Sequence, residues 1–333
     1  MTIRRRLAVV IPLFGLVTLT VLLVAPTLGS TAISLARVFD PTIPWDRNVD
    51  AQIFFVARLP RVLAGALVGA ALAAAGVVLQ ALLRNPLATP FTLGVSASAA
   101  FGAMVAIAFN LDVSVFGTAA VSTATFIGAL VGTAIVYLLA TRVNKALSTN
   151  VLLLAGVTLN TFFSALITFV QYLIDFADWY RTARWLLGNL DVSSFAPLAA
   201  ALPLIGVSFL MFATLPRALN LLTIGEDVAA ARGVDVGRAQ RVAFLSASFA
   251  TGAAISLSGP IGFIGIVVPH LVRLLVGSDH RVVLPASLLF GASFLVVCDL
   301  IARTVMSPIE LPVGIVTAMI GGPFFIWLLV RKS

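Results

Sequence analysis

The chain has 333 residues, 60% of them hydrophobic and only 10% charged, with a formal net charge of +8. A soluble domain of this size needs more charge to cover its surface, so the composition excludes one. A single cysteine, Cys298, and two histidines, His270 and His280, exclude an internal disulfide, a cysteine-based metal cluster and a histidine-rich metal site. Apolar stretches of about twenty residues recur from end to end, each long enough to cross roughly 30 Å of hydrocarbon. The reading is an all-α, polytopic membrane bundle forming one domain over residues 1–333.

Arg4, Arg5 and Arg6 precede an apolar run from Leu7 to Leu28. The run is longer than the usual apolar core of a signal peptide, so it reads as a retained first span. A polar loop with Asp40, Pro41, Pro44, Asp46 and Asp50 leads through Arg58-Leu59-Pro60-Arg61 to a second span, Val62 to Leu83. Gly65 and Gly69 form a GxxxG pair there, which permits close helix contact. The turn Arg84-Asn85-Pro86-Leu87-Ala88-Thr89-Pro90 separates it from a third span, Phe91 to Phe109. Asn110 to Ser114 turns the chain into a fourth span ending near Ala140. A loop with Arg142, Asn144, Lys145, Ser148, Thr149 and Asn150 follows.

The fifth span, Val151 to Ile174, is the most polar. Thr161, Ser164, Thr168 and Gln171 lie three and four apart and share one helical face. That face either lines a path through the membrane or spends its hydroxyls on helix carbonyls. Asp175 to Asp191, with Trp179, Tyr180 and Trp185, suits a helix lying at the membrane interface. The sixth span is Phe195 to Leu215.

Pro216 to Arg241 is the longest charged interruption well inside the sequence, and it reads as two short helices. Glu226 and Asp227 suit the first turn of one, Gly233 can end it with a positive φ, and Asp235 can cap the next. The segment is either a solvated connector or a surface that touches another protein. The seventh span, Val242 to Leu257, ends in a Gly- and Pro-rich break, Ser258 to Gly265. The eighth runs to Val276, a tight turn holds Asp279-His280-Arg281, and the ninth is Val282 to Val297. Asp299 to Pro312 is expected to be a loop with Arg303 and Glu310, and the tenth span ends at Arg331-Lys332.

Ten spans place both termini on one side. Of the 21 Lys and Arg, fourteen fall on that side and seven on the other; of the 13 acidic residues, nine fall on the other side. The positive-inside rule therefore predicts cytoplasmic termini, and the net positive charge is a topology signal that points to membrane lipid and away from nucleic acid. No GxxxxGK[ST] loop is present to hydrolyse ATP. His270 and Arg273 are the only titratable candidates expected inside the spans, where an ion-driven carrier usually keeps an ionisable group. The pattern fits a pore-forming subunit driven by something else. Its rivals are an ion-coupled secondary transporter that works without an ATPase, and a non-transporting membrane scaffold or receptor.

The segments RLPRVLAGALVGAALAAAGVVLQALLRNPLATPFTLGVSASAAFGA, LLLAGVTLN, SGPIGFIGIVVPHLVRLLVGSDHR and ELPVGIVTAMIGGPFFIWLL resemble the FecCD-type, BtuC-like permeases of importers for iron chelates, haem and cobalamin. The likeness covers nearly everything from Arg58 onward. It implies a type II ABC importer in the bacterial or archaeal cytoplasmic (inner) membrane, working by ATP-driven alternating access. Two copies of the chain would form a homodimer with two ATPase subunits. The chain itself would be no enzyme and hold no cofactor, with ATP and Mg on those partners. A periplasmic or lipid-anchored binding protein would deliver the metal-chelate substrate.

By the same resemblance, residues 220–240 match the coupling helices, with Gly225, Glu226, Asp227, Ala230, Arg232 and Gly233 against the ATPase. Asn85, Leu87, Thr149 and Asn150 match the cytoplasmic gates, although the family often has a small hydroxyl residue where Asn150 stands. Thr161, Ser164, Thr168 and Gln171 match the pathway-lining helix. Arg58, Arg61 and Arg303 match basic positions that dock the binding protein.

Overall fold

The computed structural model describes residues 3–111, 120–143 and 149–332. Its helices are α1 (Ile3–Val24), α2 (Leu35–Val38), α3 (Val49–Gln52), α4 (Leu59–Leu82), α5 (Val95–Ala108), α6 (Ala120–Val143), α7 (Thr149–Leu173), α8 (Phe176–Leu186), α9 (Ala196–Thr214), α10 (Pro216–Leu222), α11 (Glu226–Ala231), α12 (Val236–Ser258), α13 (Ile264–Val276), α14 (His280–Thr304) and α15 (Val313–Lys332). No β-strand occurs among the described residues. Among the described residues, seven stretches are long and apolar enough to span a membrane, and three shorter apolar helices, Val95–Ala108, Ile264–Val276 and Val313–Trp327, join them. The ten agree with the spans expected from the sequence. Residues 112–114 of the expected turn at 110–114, and Asn144, Lys145 and Ser148 of the next loop, lie outside the described residues.

The bundle is built around α4. Its central window is 89% buried, against 11% for α1, which lies at the edge. A helix apolar on every side belongs in the middle of a bundle, and the run of Ala, Gly and Val in α4 lets neighbours approach closely. α4 packs on α14, α12 and α13. Gly69 meets Gly291 of α14 backbone to backbone; a Cβ on either would run into the other's carbonyl oxygen. The GxxxG pair thus finds its partner 222 residues along the chain, at Gly291, while Gly65 faces Leu190 and Val296.

Three boundaries differ from the sequence reading. The second span begins at Val49, because α3, a wide turn over Ile53–Arg58 and α4 form one continuous helix. Pro60 would clash with the carbonyl four residues back in a regular helix; the wide turn re-registers the bonding, with the Leu59 N–H donating to the Phe54 carbonyl. The residues Asp279-His280-Arg281 are not a free turn: Asp279 caps α14 and the other two form its first turn. At its far end α14 continues to Thr304, so Asp299 and Arg303 are helical and buried, not part of a loop. The break at Ser258–Gly265 is present as expected, with non-helical backbone over residues 259–263.

The Gly69–Gly291 contact has a direct test. Gly69→Ala should overpack it and lower stability by about 1–3 kcal/mol, read as a fall in the thermal midpoint in detergent. Gly206→Ala, with open space around it, should leave the midpoint unchanged. Equal effects at the two positions would refute the close approach.

Candidate coupling site at the polar helix cluster

Pro216 starts α10 as a helix of its own, so the polar segment holds three helical pieces where the sequence suggested two. Proline suits a first helical position, where its missing N–H is not needed. Glu226 and Asp227 occupy the first turn of α11, and Gly233, at φ +80°, turns the chain out of that helix. Asp235 caps α12 by accepting a bond of 2.9 Å from the Arg238 N–H. Leu222, Ala229 and Ala239 bury themselves together, with Ala218, Leu221, Val234 and Val236 packed on them. The segment is therefore a folded knob with a small core distinct from that of the bundle.

The outer surface of the knob presents Asp227, Ala230, Arg232 and Gly233, all exposed, with Gly225 and Glu226 half-buried. Two apolar side chains join them: Ile224, 69% exposed, and Val228, 38% exposed. Sequence reasoning missed both; the available signal was two branched apolar residues in a charged segment, Ile224 before the non-helical Gly225 and Val228 inside α11. Glu226 reaches back to the bundle, forming an ion pair of 3.0 Å with Arg84 just beyond α4.

A second link joins the knob to α14. The Asn220 side-chain amide donates to Asp279 Oδ1 at 2.8 Å, and its oxygen accepts from the His280 backbone N–H at 2.9 Å. The same oxygen lies 2.7 Å from His280 Nδ1. Asp279 also accepts from the Arg281 backbone and pairs with its guanidinium at 3.0 Å. Partial burial would raise the Asp279 pKa, but the bonds from Arg281 and Asn220 outweigh it and hold the carboxyl at about 2. Between the knob, α4 and α13 lies a cavity of about 570 Å³ whose wall includes Gln80, Arg84, Asn85, Asn220, Arg273 and His280.

The four residues expected at the gates sit at two helix ends. Asn85 follows α4 and its side chain accepts from the Leu87 N–H at 2.9 Å, which shapes the turn and leaves Leu87 exposed. Thr149 and Asn150 open α7. Arg273, one of the two titratable residues expected in the spans, donates to Gln80 Oε1 at 2.5 Å. The other, His270, packs its ring edge-on against Phe324.

One face of α7 is buried through Leu152, Ala155, Gly156, Leu159, Phe163 and Ile167. Thr161, Ser164 and Thr168 lie on the opposite, exposed face, with Gln171 half-buried. Thr161 and Thr168 donate to the Val157 and Ser164 carbonyls. Thr161 and Thr168 thus spend their hydroxyls on their own helix, and the face they share is open on a single chain. α8 is the expected amphipathic helix, capped by Asp175 and carrying exposed Trp179 and Tyr180.

Arg58, Arg61 and Arg303 gather at the opposite end of α14 from the knob, but their side chains are turned inward. They are 5%, 8% and 4% exposed. Arg58 donates to the carbonyls of Pro26, Thr27 and Thr31. Arg61 pairs with Asp299 at 2.9 Å and Glu310 at 2.6 Å, and Arg303 donates to the Ala25 carbonyl at 2.9 Å. Three guanidiniums against Asp299 and Glu310 leave one positive charge in excess. Only Glu310 is substantially open to solvent.

Residues 16–331 match the FecCD transport family. The chain belongs to that family. It is 45% identical over 273 residues to the cobalamin import system permease protein BtuC of Halobacterium salinarum, covering 82% of this chain and 72% of that one. It is 36% identical over 319 residues to the hemin transport system permease protein HmuU of Yersinia pestis, covering 94% of each. A solved structure described as an inward-facing metal-chelate type ABC transporter superposes with a TM-score of 0.82 at 32% identity, covering 97% of this chain and 99% of that one. The FecCD chain is thus a multi-pass membrane permease subunit of the ABC importer class, a family of permeases and not of enzymes.

The cap on α14 of this permease carries a pH signature. Asp279→Ala should cost about 0.5–2 kcal/mol. Because the folded pKa, about 2, lies below the ordinary 3.8, the wild-type advantage is complete above pH of about 5 and is lost as pH falls through the folded value. Thermal melts of both proteins across pH 2–7 check this, and a gap that widened towards pH 2 would contradict it.

Proposed function

We propose that this permease moves a metal chelate of the iron-siderophore, haem or cobalamin type into the cytoplasm. Residues 1–333 act as one permease domain, with both termini cytoplasmic in the bacterial or archaeal inner membrane. Two copies pair across the open α7 faces, so that Thr161, Ser164, Thr168 and Gln171 line the path between them. Asn85, Leu87, Thr149 and Asn150 form its cytoplasmic gates. Two separate ATPase subunits bind ATP and Mg, and a periplasmic or lipid-anchored binding protein docks on the opposite end. The names of the relatives support the substrate class, and the positive-inside bias supports the orientation.

The observation that carries this reading is the folded knob. A mixed-charge helix cluster with its own core, displaying Gly225, Glu226, Asp227, Ala230, Arg232 and Gly233 beside exposed Ile224 and Val228, is built as a contact surface. Seated on an ATPase, it would convert closure of the nucleotide-bound dimer into a rocking of the spans. At the other end, Arg58, Arg61 and Arg303 supply the excess positive charge that steers an acidic binding protein. Their burial means that they act by field and by holding the docking surface in shape.

The double variant Glu226→Arg with Arg232→Glu tests the coupling assignment. The complex should remain in the membrane and hydrolyse ATP. Uptake of labelled cyanocobalamin, haemin or a ferric siderophore per ATP should fall roughly fivefold or more, as expected for the loss of about 1–3 kcal/mol of coupling. Unchanged uptake per ATP for the probe that the wild-type complex carries would remove the coupling role from α11.

A further inference from the structure

The knob is continuous in the chain with α9 and α12, so its motion reaches those spans directly. The central pair α4–α14 has no such connection, yet the gate turn at Asn85 and Leu87 hangs from α4. α12 and α9 pack on α4 along the bundle, and the knob's own short helices add contacts to the pair through Leu219, Glu226 and Asn220. Leu219 of α10 is fully buried against the bundle core, but apolar packing fixes no direction. The Arg84–Glu226 pair is reached by solvent, Arg84 exposed and Glu226 half-buried, where ion pairs hold weakly. The third contact is Asn220, and it is directional and part-buried.

The bonding at Asn220 is over-determined. Asp279 Oδ1 can only accept, so the group facing it is the Asn220 NH₂; the backbone N–H of His280 can only donate, so it faces the Asn220 oxygen. With the amide oriented by these two neighbours, His280 Nδ1 must carry the proton to bond that oxygen at 2.7 Å. One side chain of the knob therefore binds the cap, the backbone and the ring at the start of α14. From there α14 runs 25 residues, about 37 Å, with Gly291 locked on Gly69 of α4 and Asp299 paired with Arg61 of α4 near its far end.

We propose that Asn220 is the positioning residue through which the coupling knob drives the α4–α14 pair, and with it the cytoplasmic gate turn at Asn85–Leu87. The proposal rests on the coupling reading of α11. The bundle takes up the knob's displacement at the first turn of α14, and the glycine contact passes it to α4.

The test uses the full complex, reconstituted with its ATPase. Leu87→Cys serves as a gate reporter, since Leu87 is exposed and the native Cys298 is buried. Maleimide labelling is compared between nucleotide-free and ATP–vanadate-trapped states, with trapping measured separately. With Asn220 intact, the two rates should differ by about tenfold. Asn220→Asp puts a carboxylate against Asp279 and should abolish the difference while vanadate trapping persists. Asn220→Ala, which removes the clamp without adding charge, should behave as Asn220→Asp does and serves if that variant fails to assemble.

A normal response in Asn220→Asp or Asn220→Ala would overturn the clamp and leave the coupling reading standing. No response even with Asn220 intact would overturn the coupling reading, and the clamp with it.

Discussion

Everything in this bundle depends on the contact between α4 and α14. In hydrocarbon there is no water to drive apolar helices together or to satisfy stray polar groups, so close packing and internal pairing must do both. Gly69 and Gly291 bring the two backbones within touching distance. That contact sets the register that lets Arg61 on α4 meet Asp299 on α14. The same register places the first turn of α14 against Asn220 of the knob. The two polar clusters, one at each end of α14, are thus held relative to each other by a pair of glycines between them.

The outer cluster shows how charge is tolerated in such a place. An unpaired guanidinium or carboxylate there would be strongly destabilising, whereas a network in which each finds partners is stable and specific in geometry. Arg58 satisfies backbone carbonyls after α1, Arg61 bridges α4 to Asp299 and Glu310, and Arg303 ties α14 to Ala25. Segments distant in the sequence are thereby pinned into one outer surface. At the knob, by contrast, charges stand on an exposed face over a small core of alanines, leucines and valines. One end is fixed by internal pairing, and the other displays its charges to solvent.

Much of this was legible in the sequence because its cause is local. Hydrophobic run lengths gave the ten spans, Asp235 and Gly233 marked the ends of their helices, and the Trp- and Tyr-bearing segment gave α8. What escaped was whatever depended on a remote partner. Asp299 looks like a loop residue until Arg61, 238 positions away, is seen to pair with it, and Arg303 until its own guanidinium is found bonded to Ala25. Pro60 looks like a helix start until the wide turn before it is found to accommodate the ring. Asn220 carries no motif at all, and its importance comes entirely from the two residues of α14 it meets. The fold was thus more legible than the site, since spans follow from composition while the couplings between them follow from tertiary register.

The permease assignment is tested most directly by the stoichiometry of the native assembly. Tagged chain, extracted from its own membrane in mild detergent, would be weighed by native mass spectrometry. A complex of two copies with two nucleotide-binding subunits is the expected result. A stable monomer or homo-oligomer, free of any ATPase, would contradict the assignment and bring an ion-coupled carrier to the front.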